Sequence, residues 1–278
     1  MTIKENIIWA KEQLLECCER PQYEAELLLA YHLNQNRTYL VVNDNKEVKD
    51  INKYKNLIKR RSKHEPYEYI VGEASFYDIE LKVEEGVLIP RPETEILIDF
   101  VAEIIEKENI RRIAEIGVGS GAISVVLARK FPKLRIIATD ICDKPIEVAQ
   151  ININKYELAE CIEVRKSNLL DEISEYVELV VSNPPYIAED FLLESNVGDY
   201  EPKEALFGGR VGDELLKQII LDVQAKGVSY LACEIGYDQK KPLEAFVKDV
   251  AVEYIKFYKD LAGFDRGFVI KFKQGNNK

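Results

Sequence analysis

Apolar residues recur at three- and four-residue spacing in "NIIWAKEQLLECC" and "YEAELLLAYHL", and more weakly in "VKDINKYKNLIKRRSKH". That is the period of an α-helix with one face turned to a core, so residues 1–75 are expected to form a small helical bundle. From Tyr69 to Ile89 the pattern shortens. "YIVGEASFYDIELKVEEGVLI" is rich in β-branched and aromatic residues and partly alternates, which predicts a β-hairpin, with residues 76–91 as a connector. Pro90 and Pro92 then set the backbone ahead of a long amphipathic helix in "PETEILIDFVAEIIEKE". Glu93 and Glu95 fall at its positively polarised start.

Beyond Arg111 strands and helices alternate. "RRIAEIGVG", "LRIIATD", "CIEVRKS", "VELVVSN" and "SYLACEIG" read as strands, and "AISVVLARKF", "KPIEVAQININKYE", "GDELLKQIILDVQAKG" and "PLEAFVKDVA" as helices. Such alternation predicts an α/β domain over residues 92–278, a Rossmann-like, mostly parallel sheet with helices on both faces. The closing strands, "EYIKFYKD" and "RGFVIKFK", bring the expected sheet to seven. The link "LAGFD" is too short for a parallel crossover, so this pair is expected to be an antiparallel edge hairpin. No internal repeat is visible.

Composition narrows the functions this scaffold can serve. With 46% hydrophobic and 31% charged residues the chain is an ordinary globular one, and disorder is expected at most in the closing "KQGNNK". No apolar run approaches the roughly 18–20 residues of a membrane span, and the first residues lack the pattern of a signal peptide, so the expected location is the cytoplasm. Five cysteines without a C-x-x-C spacing write neither a disulfide framework nor a zinc site. His32 and His64 stand alone and read as helix-surface and loop histidines. The net charge of -11 opposes sequence-independent binding to nucleic acid. "KYKNLIKRRSKH" is a basic cluster, read as a solvated helix face.

Two turns carry candidate chemistry. In "EIGVGSGAI" the first strand of the α/β region passes into its first helix through Gly117, Gly119 and Gly121, which let the backbone turn tightly and approach a ligand at the helix start. The looser dinucleotide spacing is also met, through Gly117, Gly119 and Ala122, so a nicotinamide cofactor competes here. Asp140, closing "LRIIATD", sits where a carboxylate accepts hydrogen bonds from a ribose. Glu115 would repel a pyrophosphate but attract the ammonium and sulfonium of S-adenosyl-L-methionine, and this tips the balance towards that cofactor.

The second turn, Asn183-Pro184-Pro185-Tyr186, ends the fourth strand at the edge of the sheet where open α/β folds bind ligands. Proline fixes the backbone and leaves a carbonyl that only accepts. Asn183 adds a side-chain acceptor and Tyr186 an aromatic plate. The turn suits a flat group bearing an NH2, whose nitrogen gains positive charge as it takes a methyl group. An amide and the exocyclic amine of a flipped adenine both answer that description.

At these residues the chain resembles the release factor glutamine methyltransferases, the PrmC/HemK family. "EAELLLA", "EPYEYIVGEASFYDIELKVEEGVLIPRPETE", "EIGVGSGAI", "SNPPYI", "EPKEALFGG" and "DLAGFDRGFVI" occur in family order over almost the whole chain. The resemblance implies a helical N-terminal domain followed by a class I methyltransferase domain. It implies that Glu115, Gly117, Val118, Gly119, Ser120, Gly121, Asp140, Asn168 and Asn183 surround S-adenosyl-L-methionine. Asn183, Pro184, Pro185 and Tyr186 would hold the glutamine of a release factor's Gly-Gly-Gln loop, with Asn183, Pro184 and Tyr186 in the catalytic role. Asn168 stands where relatives place an aromatic or large apolar residue beside the adenine, and Glu115 replaces their usual aspartate. The expected partners are peptide chain release factors, with no direct contact to nucleic acid, no membrane and no metal, and the protein is expected to be a monomer. Residues 188–209, containing "AEDFLLESNVGDY", are either a lid over the substrate opening or an ordinary surface loop. The alternatives are an adenine-amino methyltransferase acting on DNA or RNA, a nicotinamide-dependent oxidoreductase, and a non-catalytic binding module.

Overall fold

A computed structural model describes residues 1–273 and divides them into two compact units, residues 1–73 with 193–200, and residues 74–192 with 201–273. The expected disorder of "KQGNNK" falls, apart from Lys273, outside the described residues.

The first unit is helical. Thr2 caps α1 (Ile3–Gln13) in a capping box: its hydroxyl accepts from the Glu5 amide at 3.2 Å, and its own amide donates to Glu5 Oε2 at 2.8 Å. Pro21 opens α2 (Pro21–Leu33) and Asn34 closes it in the left-handed conformation. Asn36 caps α3 (Arg37–Val42) through a bond from the Tyr39 amide at 2.9 Å. Then follow α4 (Ile51–Arg61) and α5 (Tyr67–Val71). Leu14, Leu28, Leu29, Leu40, Tyr54 and Ile58 fill the core between them, and the buried Tyr54 hydroxyl donates to the Ala25 carbonyl at 3.0 Å. The basic cluster of α4 is partly spent inside this unit, with Arg60 paired to Glu65 and the buried Arg61 to Glu24. In the returning segment, α9 is the single turn Ser195–Gly198, and the Tyr200 hydroxyl donates to the Lys63 carbonyl at 2.6 Å.

In the second unit, β1 (Glu73–Phe76) and β2 (Ile79–Lys82) form the expected hairpin, followed by α6 (Pro92–Glu108). Alternation then runs β3 (Arg112–Ile116), α7 (Ala122–Lys130), β4 (Arg135–Asp140), α8 (Asp143–Lys155), β5 (Ile162–Lys166) and β6 (Leu179–Ser182). A short parallel pair, β7 (Ile187–Ala188) with β8 (Phe207–Gly209), precedes α10 (Glu214–Ala225), β9 (Tyr230–Glu234), α11 (Lys240–Phe246), β10 (Val252–Lys259) and β11 (Asp265–Phe272). The main sheet has seven strands in the order β10-β11-β9-β6-β3-β4-β5. Its β9-β6-β3-β4-β5 portion is parallel, and β11 runs antiparallel to both β9 and β10.

β6 and β9 are buried at every position because helices cover both faces, which is why they read as unbroken apolar runs. One core layer holds Leu97, Val101, Val125 and Ile136, and the other Leu216, Ile220, Val180 and Phe268. Asn152 of α8, buried in the first layer, binds Lys82 of β2 through both its amide groups and also donates to the Ser120 carbonyl at 2.8 Å. This one side chain fastens the hairpin and the glycine turn to α8. Glu201, in "EPKEALFGG", accepts from the Ile89 amide at 3.1 Å and pairs with Arg91. Two motifs far apart in sequence thereby meet. Among the described residues no helix is long and apolar enough to cross a membrane.

Candidate active site

Parallel strands bring the turns after β3, β4 and β6 to one edge of the sheet. Ile116 stands in register with Thr139 on one side and Ser182 on the other. The hydroxyls of these neighbours fix the strand ends: Ser182 Oγ donates to the Ile116 carbonyl at 2.8 Å, and Thr139 Oγ1 to the Leu169 carbonyl at 3.0 Å. Past that point the amides of Gly117 and Val118 both donate to the Thr139 carbonyl, at 2.8 and 2.9 Å. Closing so tight a turn takes φ of 74° at Gly117 and 55° at Gly119, left-handed values that suit glycine. A Cβ at either position would meet nothing within 4 Å, so these backbone edges face open space.

That space is a cavity of 220 Å³. Of the residues predicted from sequence, Gly117, Gly119, Asp140, Asn168, Asn183, Pro184 and Pro185 wall it, together with Leu169, Cys142 and Leu215. Asp140 Oδ2 accepts from the Gly119 amide at 3.2 Å and Oδ1 from the Cys142 amide at 3.0 Å. Burial pushes its carboxyl above the usual carboxylate range, and those amides pull it partly back. Asn168 is exposed and donates to Asp171 Oδ2 at 3.3 Å.

Four residues of the glycine turn and one of the proline turn stand outside these walls. Val118, Ser120 and Gly121 are buried behind the turn, and Glu115 is 1% exposed, its carboxylate bonded by the Ser124 hydroxyl of α7. Burial without a cationic partner pushes the Glu115 carboxyl up to about 8, against the pull of the Ser124 hydroxyl and amide. Tyr186 packs on the second core layer, and its hydroxyl donates to Glu234 Oε1 at 3.0 Å.

The proline turn is supported from below and from the side. Gly208 of β8 passes so close that a Cβ there would collide with the Pro185 carbonyl oxygen. Asn183 Nδ2 donates to Thr94 Oγ1 at 2.9 Å, and Thr94 Oγ1 donates in turn to Glu234 Oε2 at 2.7 Å. Sequence reasoning missed Thr94 and Glu234. The available signal was Glu234 itself, an acidic residue closing the apolar run "YLACE", where an ionised group is costly unless it has bonded partners.

A doubly wound sheet with a glycine turn and Asn183-Pro184-Pro185 on one cavity is the frame of a class I methyltransferase. The match to the family described as "Methyltransferase small domain" covers residues 93–197, and that to "PrmC N-terminal domain" covers residues 5–72. The catalytic domain of hMettl16, solved in complex with the MAT2A 3'UTR hairpin 6, shares the fold with a TM-score of 0.59 at 18% identity, over 80% of this chain and 81% of that one. The release factor glutamine methyltransferase of Dictyoglomus turgidum is 37% identical over 271 residues, 95% of this chain and 96% of that protein. That of Clostridium acetobutylicum is 34% identical over 276 residues, 96% and 97% of the two chains. The chain belongs to the release factor glutamine methyltransferase family.

Proposed function

We propose that the protein methylates the side-chain amide nitrogen of the glutamine in the Gly-Gly-Gln loop of peptide chain release factors, with S-adenosyl-L-methionine as donor. One observation carries this reading: the glycine turn and Asn183-Pro184-Pro185 wall one cavity, in a chain matched over 95% of its length by a relative of that name. The wall suits the donor. Open glycine edges at Gly117 and Gly119 let a ligand lie against backbone, Asp140 offers a carboxylate for ribose hydroxyls, and Leu169 and Leu215 offer apolar surface for a base. When bound, S-adenosyl-L-methionine supplies a methyl group on a positively charged sulfur.

The chain's own task is to orient a weak nucleophile. Asn183 Oδ1 and the Pro184 carbonyl accept from the two N–H bonds of the glutamine amide, and the stiff proline turn holds both acceptors in place before the substrate arrives. As positive charge grows on the nitrogen these acceptors bind it more strongly than in the ground state, which lowers the barrier. No side-chain base is required, because the methylated nitrogen is acidic enough to give its proton to water.

We assign residues 1–75 to recognition of the release factor, 76–91 to the connector and 92–278 to methyl transfer. The net charge of -11 supports a protein substrate over nucleic acid. We take the enzyme to be a cytoplasmic monomer. The test is transfer of a labelled methyl group to unmodified release factor, with duplex DNA and RNA alongside and the label located by mass spectrometry. Label on the loop glutamine is expected. Label on nucleic acid alone would replace the substrate assignment with the adenine-amino alternative.

A further inference from the structure

Asn183 serves as an acceptor only if its amide oxygen, not its NH2, is offered to the cavity, and a chain of hydrogen bonds behind it decides which. Glu234 is 1% exposed at the end of β9 and receives two hydroxyls, Tyr186 on Oε1 and Thr94 on Oε2. A carboxylate has no proton to give. The single hydroxyl proton of Thr94 is therefore committed to Glu234, and the Thr94 oxygen can only accept from its other neighbour. That neighbour, 2.9 Å away, must then be the NH2 of Asn183, which turns Oδ1 to the opposite side of the carboxamide.

We propose that Thr94 and Glu234 are positioning residues that hold the Asn183 amide in one of its two orientations, and that Glu234 does so only as a carboxylate. The proposal rests on the reading of Asn183 as acceptor for the substrate amide. A proton on Glu234 would reverse the chain: the acid donates to Thr94, the Thr94 hydroxyl is released to donate to Asn183, and the flipped amide presents N–H to a substrate that also brings N–H.

The surroundings put this reversal within reach of ordinary pH. Glu234 faces Thr94 and Glu93 on α6, Tyr186 in the proline turn, Arg266 on β11 and Tyr258 on β10, with Cys233 next to it on its own strand. Arg266 is engaged by Asp260, at 2.9 Å. Burial dominates and pushes the Glu234 carboxyl up to about 7, against the pull of Thr94, Tyr186 and Arg266.

Two measurements test the chain. In ¹⁵N NMR of the protein alone, the Asn183 side-chain amide signals, identified by their loss in Asn183→Asp, should shift between pH 8.5 and 5.5 in the wild type and hold still in Glu234→Gln. In methyl transfer to release factor, Thr94→Val should lower kcat on the order of 10- to 100-fold, as expected for a misdirected polar contact, with little change in KM for either substrate. Thr94→Ser should regain most of that loss, and Glu234→Gln should flatten the fall of kcat at acid pH. Wild-type turnover in Thr94→Val, or Asn183 signals indifferent to pH in the wild type, would overturn the proposal. A wild type inactive on release factor but with Asn183 signals that follow Glu234 supports the positioning chain and refutes the substrate.

Discussion

The turns after β3 and β6 leave adjacent parallel strands in register, yet they line the cavity in opposite ways. The glycine turn works with main chain: left-handed glycines bare their edges to the cavity, and hydrogen bonds to Thr139 and Asp140 hold it in shape. The proline turn adds a side chain to its backbone, and that side chain, Asn183, is bonded through Thr94 to Glu234, residues 140 positions apart. A ligand read by backbone needs a particular path of the chain, whereas a ligand read by an asparagine needs a particular proton arrangement. The first is local in sequence and the second is not.

The sharpest way to break the comparison is Asn183→Ala. Turnover should fall on the order of 10² to 10³, the effect of removing one preorganised polar contact, while cofactor affinity measured by calorimetry changes little. Asp140→Ala should do the reverse, weakening cofactor binding roughly 10- to 100-fold while leaving kcat at saturating cofactor within a few-fold. Equal losses of both quantities in both variants would erase the division of labour between the turns.

Glu115 tests the interior of the glycine turn. Its carboxyl is raised from the ordinary value to about 8 in the folded protein, so the unfolded chain releases its proton first as pH rises. The wild type therefore keeps its full stability below about pH 4.5 and loses stability as pH climbs to about 8, beyond which the loss levels off. Glu115→Gln carries no such charge. Its melting temperature should match the wild type near pH 4.5 and exceed it by an amount worth roughly 1–3 kcal/mol above pH 8. A gap independent of pH would show that the buried charge is not the cause. The smallest effect is expected of Ser182→Ala, which cuts the bond joining the two strand ends and should cost about 1 kcal/mol in denaturant unfolding.

All seven strands of the main sheet were legible in sequence: β6 and β9, covered on both faces, read as continuous apolar runs, and the half-exposed β5 and β10 read through their β-branched and aromatic residues. The short elements were not. α3 and α5 span fewer than two turns and cannot display a helical period, and β7 and β8 are two and three residues long. At the site, Gly117, Gly119, Asp140 and Asn183 announce themselves because each sits at the end of a strand in a recognisable turn. Thr94 looks like any residue in the first turn of a helix. Its bonds become visible only when the fold sets it between Asn183 and Glu234. Glu115 shows the converse: its place in the motif suggested a group facing the ligand, but the pleat of β3 turns its carboxylate to Ser124 in the interior.

The close passage of Gly208 beneath Pro185 has a consequence for anyone reshaping this enzyme. A library randomised at positions 117, 119 and 208 would treat three glycines alike, but selection would not. Alanine at 117 or 119 brings backbone strain without a collision, so weakened survivors are expected there. At 208 even a methyl group must displace the main chain of the proline turn, and glycine should be the residue that selection returns.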